Sequence, residues 1–122
     1  MKKLLIISLL IVGCTTEPEV IDRSGTYAHS SCLEYETTEC NGDFTEYDLC
    51  GGLFIYNLNS DGSFNVDDSN FFGTWTQDNN NVGTLLFEGT NEWELIITFT
   101  NDGFYYYTED AEHCMKWNFT RE

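Results

Sequence analysis

The chain has 122 residues, which is enough for one domain, and its 21 acidic residues against five basic ones give a net charge of −16. So acidic a chain excludes nucleic acid as a partner, because the phosphate backbone requires basic side chains. Nine Phe, seven Tyr and three Trp oppose disorder, since they provide the apolar area that a small folded domain must bury.

Residues 1–13 have the features of a secretory signal peptide. Two lysines follow Met1, and the apolar run Leu4–Val12 has nine residues, well short of the ~20 that a membrane span requires. The run ends in Gly13-Cys14, which resembles the bacterial lipobox, where the signal is cut before a cysteine that then carries lipid. We therefore expect Cys14 to be the lipid attachment site, through which the protein contacts the membrane. The alternative is an ordinary signal peptide followed by a chance cysteine.

Residues 14–24 are polar and acidic, which indicates a flexible tether before a domain spanning residues 25–122. Loss of the signal removes two lysines and brings the net charge to −18. Acidic residues directly after a lipidated cysteine resemble the surface-export signal of some Gram-negative lipoproteins, although a solvated linker is the simpler interpretation. We expect an exported monomer held at the outer membrane or the cell surface, with the periplasmic leaflet as the alternative.

Eight β-strands are predicted in the domain, because no stretch carries a 3.6-residue period and turn residues recur at regular intervals. Their predicted bounds are residues 25–32, 52–58, 63–68, 71–77, 82–88, 92–100, 104–107 and 113–120. The clearest is 92–100, where every second residue from Trp93 to Phe99 is apolar and Asn101-Asp102-Gly103 follows as a hairpin turn. Short connections favour an all-β, antiparallel up-and-down meander that closes into a barrel or half-barrel.

This alternation also predicts which side chains are inside. We expect the following to be buried: Trp93, Leu95, Ile97, Phe99, Trp117 and Phe119. On the opposite face of the same strands we expect Glu94, Thr98 and Lys116 to be exposed.

Five cysteines are an odd number for a secreted protein, and lipid on Cys14 would leave an even set of four in an oxidising compartment. In a closed meander, the end of strand one lies beside the start of strand eight. Strict alternation along both strands turns Cys32 and Cys114 to the same outer face. Among the three possible connectivities this favours Cys32–Cys114, with Cys40–Cys50 closing the long loop.

Several short motifs carry a family resemblance. Gly25-Thr26-Tyr27 opens the first strand, Phe54–Phe64 turns at Ser60-Asp61-Gly62, and Gly73-Thr74-Trp75 lies on the fourth strand. With a long loop after strand one, this organisation resembles the lipocalin-like (calycin) barrels, many of which are small bacterial lipoproteins. The resemblance implies a non-enzymatic module that binds a small apolar molecule inside the barrel.

Two groups of residues are candidates for binding. The aromatic residues that would line a ligand cavity are Trp93, Phe99, Tyr106 and Trp117. Core filling is their alternative role. The acidic residues of the long loop are Glu34, Glu36, Glu39, Asp43, Glu46 and Asp48. We expect these carboxylates at the end of the barrel away from the tether, where they would attract a basic partner such as lysozyme. A solvated loop, and an envelope protein without any ligand, are the alternatives.

We predict no catalytic residue, no cofactor and no metal. His29 and His113 belong to no recognisable triad. The stretch from Asn57 to Asp68 matches part of an EF-hand loop, but it lacks the final bidentate glutamate and flanking helices. A plain β-hairpin accounts for the same residues.

Overall fold

The computed structural model describes residues 20–51, 53–89 and 92–122. All the regular secondary structure in these ranges is β-strand. The strands are β1 (Gly25–Tyr35), β2 (Phe44–Tyr47), β3 (Ile55–Leu58), β4 (Ser63–Val66), β5 (Phe72–Gln77), β6 (Val82–Phe87), β7 (Trp93–Phe99), β8 (Gly103–Glu109) and β9 (Cys114–Arg121). Within the described part of the chain, no helix has the length and apolarity that crossing a membrane requires.

Eight of these strands form a closed antiparallel barrel. The strands β3 to β9 pair consecutively, and β1 joins β3 on one side and β9 on the other. This is the predicted up-and-down meander, and it is fully closed. All eight predicted strands are present, with bounds that differ by a few residues.

The ninth strand, β2, is a flap that the sequence did not predict. It pairs only with the far half of β1, from Cys32 to Tyr35, while residues 25–28 of β1 pair with β3. All four residues of β2 are exposed. Its sequence, Phe-Thr-Glu-Tyr, is short and lies within the acidic segment, so no clear period marks it as a strand.

The turns collect at two ends of the barrel, as expected for a meander. We call the end that holds Gly25 proximal and the other end distal. Turns 59–62, 78–81 and 100–102 are proximal, where the Arg121 N–H donates to the Asp102 carbonyl oxygen at 2.7 Å. The long loop 36–54 and turns 67–71 and 110–113 are distal, where the Cys114 N–H donates to the Thr37 carbonyl oxygen at 3.0 Å.

Aromatic rings fill the middle of the barrel. Phe104 is 1% exposed, and its ring centroid lies 4.9 Å from that of Tyr27 and 4.8 Å from that of Phe119. Strand pairing around this core is close: a Cβ atom on Gly103 would overlap the carbonyl oxygen of Phe119. The absence of a side chain at Gly103 therefore allows β8 and β9 to approach each other beside the Phe104 ring.

The predicted alternation holds in the middle of β7 and fails at its rim. Ile97 and Phe99 are buried and Leu95 is partly buried against the core, while Glu94 is exposed. Trp93 was predicted to be buried and is 45% exposed. It shares the inner face, opposite buried Phe87, but it is the first residue of β7 and lies at the distal rim.

The remaining burial predictions are met in part. Phe119 is buried as predicted, but Trp117 is only partly buried. Thr98 and Lys116, which we predicted to be exposed, are also partly buried. The inward-facing and outward-facing residues of β9 therefore differ less in exposure than strict alternation implies.

The predicted disulfide pairing is wrong. The structure joins Cys32 to Cys50 and Cys40 to Cys114, with Cα–Cα distances of 6.1 and 5.1 Å. The reason is a bulge in β1 between His29 and Ser31, which breaks the alternation and buries Cys32 completely. The bulged register sets Cys114 opposite Tyr35, three residues beyond Cys32. Each bond therefore attaches the long loop to the barrel.

The proximal end is closed by a residue that we assigned to the flexible tether. Arg23 is 7% exposed, and its guanidinium lies 5.3 Å from the centroid of the Phe99 ring. It donates to the Thr100 carbonyl oxygen at 2.9 Å and twice to the Asn80 carbonyl oxygen, at 2.9 and 3.1 Å. The end of the predicted tether is thus part of the folded domain, while Cys14 and the signal peptide lie outside the described residues.

Replacing Arg23 with alanine should lower the free energy of unfolding by about 2–3 kcal/mol. The change leaves carbonyl oxygens at the barrel end without their charged donor. Urea denaturation measures the loss, and Lys116→Ala is the control because its ammonium lies over the Tyr105 ring, away from the proximal end. If Arg23→Ala is no more destabilising than Lys116→Ala, the guanidinium does not hold the proximal end.

Candidate ligand site at the distal end of the barrel

The distal end of the barrel contains an apolar cavity of about 170 Å³. Its lining residues are Phe54, Tyr56, Val66, Phe71, Phe87, Trp93, Tyr106 and Trp117. The strand residues in this set belong to the inner rows of their strands. Four of them lie near the distal end, and Tyr106 and Trp117 lie in the middle of β8 and β9. Cavities of about 150 Å³ with apolar walls bind benzene, so the space suits a single ring.

The rim of the cavity is open and its floor is buried. Trp93 stacks on Phe87 with a centroid distance of 3.8 Å and an angle of 6°, and both Trp93 and Phe71 are exposed at the rim. The opposite wall holds Trp117, whose ring lies 6.2 Å from that of Tyr106. The Trp117 Nε1–H donates to Thr108 Oγ1 at 2.8 Å, which fixes that ring. A ligand would therefore enter from the distal side, between exposed rings, and reach a buried floor.

Two tyrosines form the floor. The hydroxyl oxygens of Tyr56 and Tyr106 are 3.2 Å apart and share a hydrogen bond. Burial raises the pKa of both hydroxyls, and proximity of the two groups raises that of Tyr106 further. Both groups therefore remain protonated and neutral under all ordinary conditions.

The structure brings together three of the four aromatic residues that we predicted for a cavity. Trp93, Tyr106 and Trp117 line it, whereas Phe99 lies at the proximal end of β7, beneath Arg23. Phe99 is therefore a core residue and not a lining residue. The lining residues that we missed could have been found from the meander itself, because inner-row residues beside distal turns must meet at that end.

A wider depression of about 370 Å³ lies beside Trp93, on the outer surface around Leu86. Glu88, Glu92 and Glu94 border it, so it offers less apolar enclosure than the cavity. We therefore take the cavity as the candidate site.

Carboxylates surround the distal end. Glu88 and Glu92 flank the Phe87–Trp93 pair, and Asp67 and Asp68 follow Val66. Of the three Lys and Arg residues in the described ranges, Arg23 and Arg121 lie at the proximal end, and Lys116 alone lies on the distal half of β9. This distribution gives the cavity mouth a negative potential that repels anions.

The acidic residues of the long loop also lie at the distal end, as predicted. Glu34 is at the end of β1, where its carboxylate accepts a hydrogen bond from the Tyr47 hydroxyl at 3.2 Å. The other five carboxylate residues are exposed, on the loop and on β2. Phe44 and Leu49 are exposed beside them. The loop surface is thus both acidic and apolar.

His29 joins the barrel wall to the long loop at Cys50, which also forms the Cys32–Cys50 disulfide. The residue is 3% exposed. Its Nδ1–H donates to the Asn118 carbonyl oxygen at 3.2 Å, and its Nε2 accepts the Cys50 N–H at 3.2 Å. These two partners require the neutral ring, and burial lowers the pKa of His29. His29 is therefore a structural residue of the loop attachment.

This arrangement predicts a loss of stability in mild acid. Because the pKa of His29 is lower in the folded state than its ordinary value of about 6.5, the unfolded chain binds the proton more readily. The contribution of neutral His29 is fully present above pH ~6.5 and decreases as the pH falls through that value. When the pH is lowered from 7.5 to 5, the free energy of unfolding should decrease more for the wild type than for His29→Gln.

The carboxyls of Asp22, Asp61 and Asp110 titrate below this range, because hydrogen bonds from neighbouring N–H and hydroxyl groups lower their pKa values. His113→Gln, the same replacement at the other histidine, is the control for the substitution itself. Equal pH slopes for the wild type and His29→Gln would show that His29 does not titrate as the structure requires.

The partial EF-hand match is a β-hairpin between β3 and β4. Asn57 Nδ2 donates to Asp67 Oδ1 at 2.7 Å, and Asp61 Oδ1 accepts from the Ser63 N–H at 2.9 Å. Among the described residues, no three His, Cys, Asp or Glu side chains are grouped so that they could hold a metal ion.

Comparison with family models, with curated proteins and with solved structures returns no match. The closed antiparallel barrel of eight strands is compatible with the lipocalin-like architecture that the sequence motifs resemble.

Proposed function

We propose that the protein is a lipid-anchored, non-enzymatic binding protein of the bacterial cell envelope, whose distal cavity takes a small apolar ligand. The observation that carries this proposal is the cavity itself. It is about 170 Å³ in volume, walled by aromatic rings and reached through the exposed rim of Trp93 and Phe71. An interior filled by its own side chains would leave no such space beside a closely packed core.

Lipid anchoring is supported by the Gly13-Cys14 motif after an apolar run. The chain enters the barrel at the proximal end, so an anchor at Cys14 holds that end toward the membrane and the cavity away from it. Cys14→Ser should move the protein from the membrane fraction to the soluble fraction. Retention of the variant at the membrane, or an intact mass without acyl chains on the wild type, would contradict anchoring.

Ligand binding is tested with toluene and a variant that fills the cavity. Val66 lines the cavity and is buried, so Val66→Phe places a ring where the ligand would lie. Calorimetry should show toluene binding to the wild type and a Kd weakened roughly tenfold or more in Val66→Phe.

The matched control is Val82→Phe, because Val82 is a partly exposed residue at the proximal end of β6. This variant should bind toluene as the wild type does. Failure of the wild type to bind toluene, or unchanged binding by Val66→Phe, would refute the proposed site.

A second candidate function is docking of a basic protein on the flap. The specific observation is that β2 pairs with β1 alone, so one edge of this exposed strand is free among the described residues. A free edge flanked by exposed Phe44 and acidic side chains can accept a partner strand. Carboxylates around it would speed the approach of a cationic partner.

Lysozyme serves as the basic probe for this second function. Neutralising Glu39, Asp43 and Asp48 to Gln or Asn should weaken its binding and flatten the salt dependence, with little change in the melting temperature. The control neutralises three carboxylates elsewhere on the surface, namely Glu94, Asp102 and Glu122. If both variants bind equally, or if lysozyme does not bind, the loop carboxylates do not form the docking surface.

A further inference from the structure

The floor of the cavity contains a hydroxyl hydrogen without a protein acceptor. Tyr56 and Tyr106 are 6% and 9% exposed, and in the described part of the chain their hydroxyls hydrogen-bond only to each other. Each hydroxyl can donate one hydrogen. A single bond between them uses one hydrogen, so the other remains available in a buried, apolar space. Leaving a buried donor without an acceptor is unfavourable, which makes an acceptor from a ligand favourable.

The position of this pair suits recognition at the inner end of a ligand. Tyr56 is on β3 and Tyr106 on β8, and both residues line the cavity together with Trp93 and Trp117. The wall around the hydroxyls is aromatic, with Tyr106 stacked on Trp117. A ligand ring would therefore lie between the walls while one polar atom of the ligand reaches the floor.

The charges around the mouth restrict the nature of that polar atom. Asp67, Asp68, Glu88 and Glu92 lie at the distal end, so a carboxylate or phosphate would be repelled on entry. An uncharged acceptor, such as a carbonyl, ether or hydroxyl oxygen, is not repelled.

We propose that the ligand of the distal cavity is a neutral compound of single-ring size with one oxygen acceptor, which accepts the spare hydroxyl hydrogen of the Tyr56–Tyr106 pair. This inference rests on the proposed function and adds the chemical class of the ligand. A purely apolar compound of the same shape fills the same space but leaves the hydroxyl hydrogen without an acceptor.

Acetophenone and α-methylstyrene are a suitable pair of probes. They have the same shape, with a carbonyl oxygen in the first where the second has a methylene group. The selectivity ratio is the Kd of α-methylstyrene divided by that of acetophenone, measured by calorimetry on the disulfide-bonded protein. In the double variant Tyr56→Phe/Tyr106→Phe this ratio should fall by roughly fivefold relative to the wild type, the effect of one hydrogen bond.

The single variants make the test specific. Tyr56→Phe and Tyr106→Phe each leave one hydroxyl with a free hydrogen, so each should retain a preference for acetophenone. Tyr105→Phe/Tyr107→Phe is the matched control. These two tyrosines flank Tyr106 on β8 but do not line the cavity. The control should keep the wild-type ratio. An unchanged ratio in the Tyr56→Phe/Tyr106→Phe variant overturns the inference.

Infrared spectroscopy of bound acetophenone tests the inference on the wild type alone. Its carbonyl stretch should lie at a lower frequency than in an alkane solvent, because a hydrogen bond weakens the C=O bond. A stretch at the alkane frequency overturns the inference even if the double variant fails to fold. Binding of both probes without preference refutes only the ligand class, whereas binding of neither refutes the proposed function as well.

Discussion

Phe104→Ala should destabilise the barrel by about 3–5 kcal/mol. Phe104 is 1% exposed and lies at the centre of the core, with rings from β1, β3 and β9 around it. Alanine leaves a void that closely paired strands are unable to close. Urea denaturation of the protein measures the change.

The neighbouring substitution Tyr105→Ala is the control for this prediction. Tyr105 belongs to the other row of β8 and is only partly buried, so we expect its removal to cost about 1 kcal/mol or less. Equal losses for the two variants would show that the rings around Phe104 are not the centre of the core.

The second large effect is expected from the disulfides. Replacing Cys40 and Cys114 with alanine should lower the free energy of unfolding by about 4 kcal/mol, because that bond closes a loop with a sequence separation of 74. Replacing Cys32 and Cys50 should cost about 3 kcal/mol, since their separation is only 18. Denaturant unfolding of the two double variants provides the comparison.

Peptide mapping without reduction provides the control on connectivity. The structure predicts linked peptides that contain Cys32 with Cys50 and Cys40 with Cys114. A link between Cys32 and Cys114 would contradict the bulged register of β1 and restore the pairing expected from regular alternation. A larger loss of stability on removing Cys32–Cys50 than on removing Cys40–Cys114 would contradict the chain-entropy reasoning.

The strands and their order could be predicted from the sequence because local signals agree with the global arrangement. Alternating apolar residues in β7, a turn at Asn101-Asp102-Gly103 and short connections all favour the same meander. Once the order is known, the placement of the turns at two ends follows from geometry. No long-range information is needed at this level.

The strands could be predicted from local alternation, but the disulfide pairing could not. Alternation is a local rule, and one extra residue at the bulge between His29 and Ser31 reverses it for the rest of β1. The bulge has no glycine or proline to mark it. Parity arguments over the whole length of a strand are therefore unsafe where the strand changes partners, as β1 does.

Part of the candidate site was also visible in the sequence. Trp93 and Trp117 were identified as inner-face aromatics, and the structure places both around the cavity. The solvent exposure of these two side chains could not be predicted from the alternation alone. It depends on where the neighbouring strands end, which determines the rim of the barrel. Arg23 was missed since a single basic residue in an acidic segment resembles a solvated linker.

The two ends of the barrel therefore differ, which supports the proposed binding protein with its anchor at the proximal end. Arg23 and Phe99 close the proximal end, while aromatic rings at the distal end surround the cavity. Two disulfides and His29 hold the long loop beside that space. We expect stability to come from the closed end and the core, and binding to come from the distal end.

The three indole N–H groups allow the most direct measurement of the central claim that the distal cavity binds a small ligand. Trp93 and Trp117 line the cavity, whereas the Trp75 Nε1–H donates to the Asn59 carbonyl oxygen at the proximal end, at 2.7 Å. In a ¹⁵N NMR titration with acetophenone, the indole signals of Trp93 and Trp117 should shift and saturate together while that of Trp75 remains unchanged. Three unmoved signals, or a shift of Trp75 as large as the others, would contradict the account.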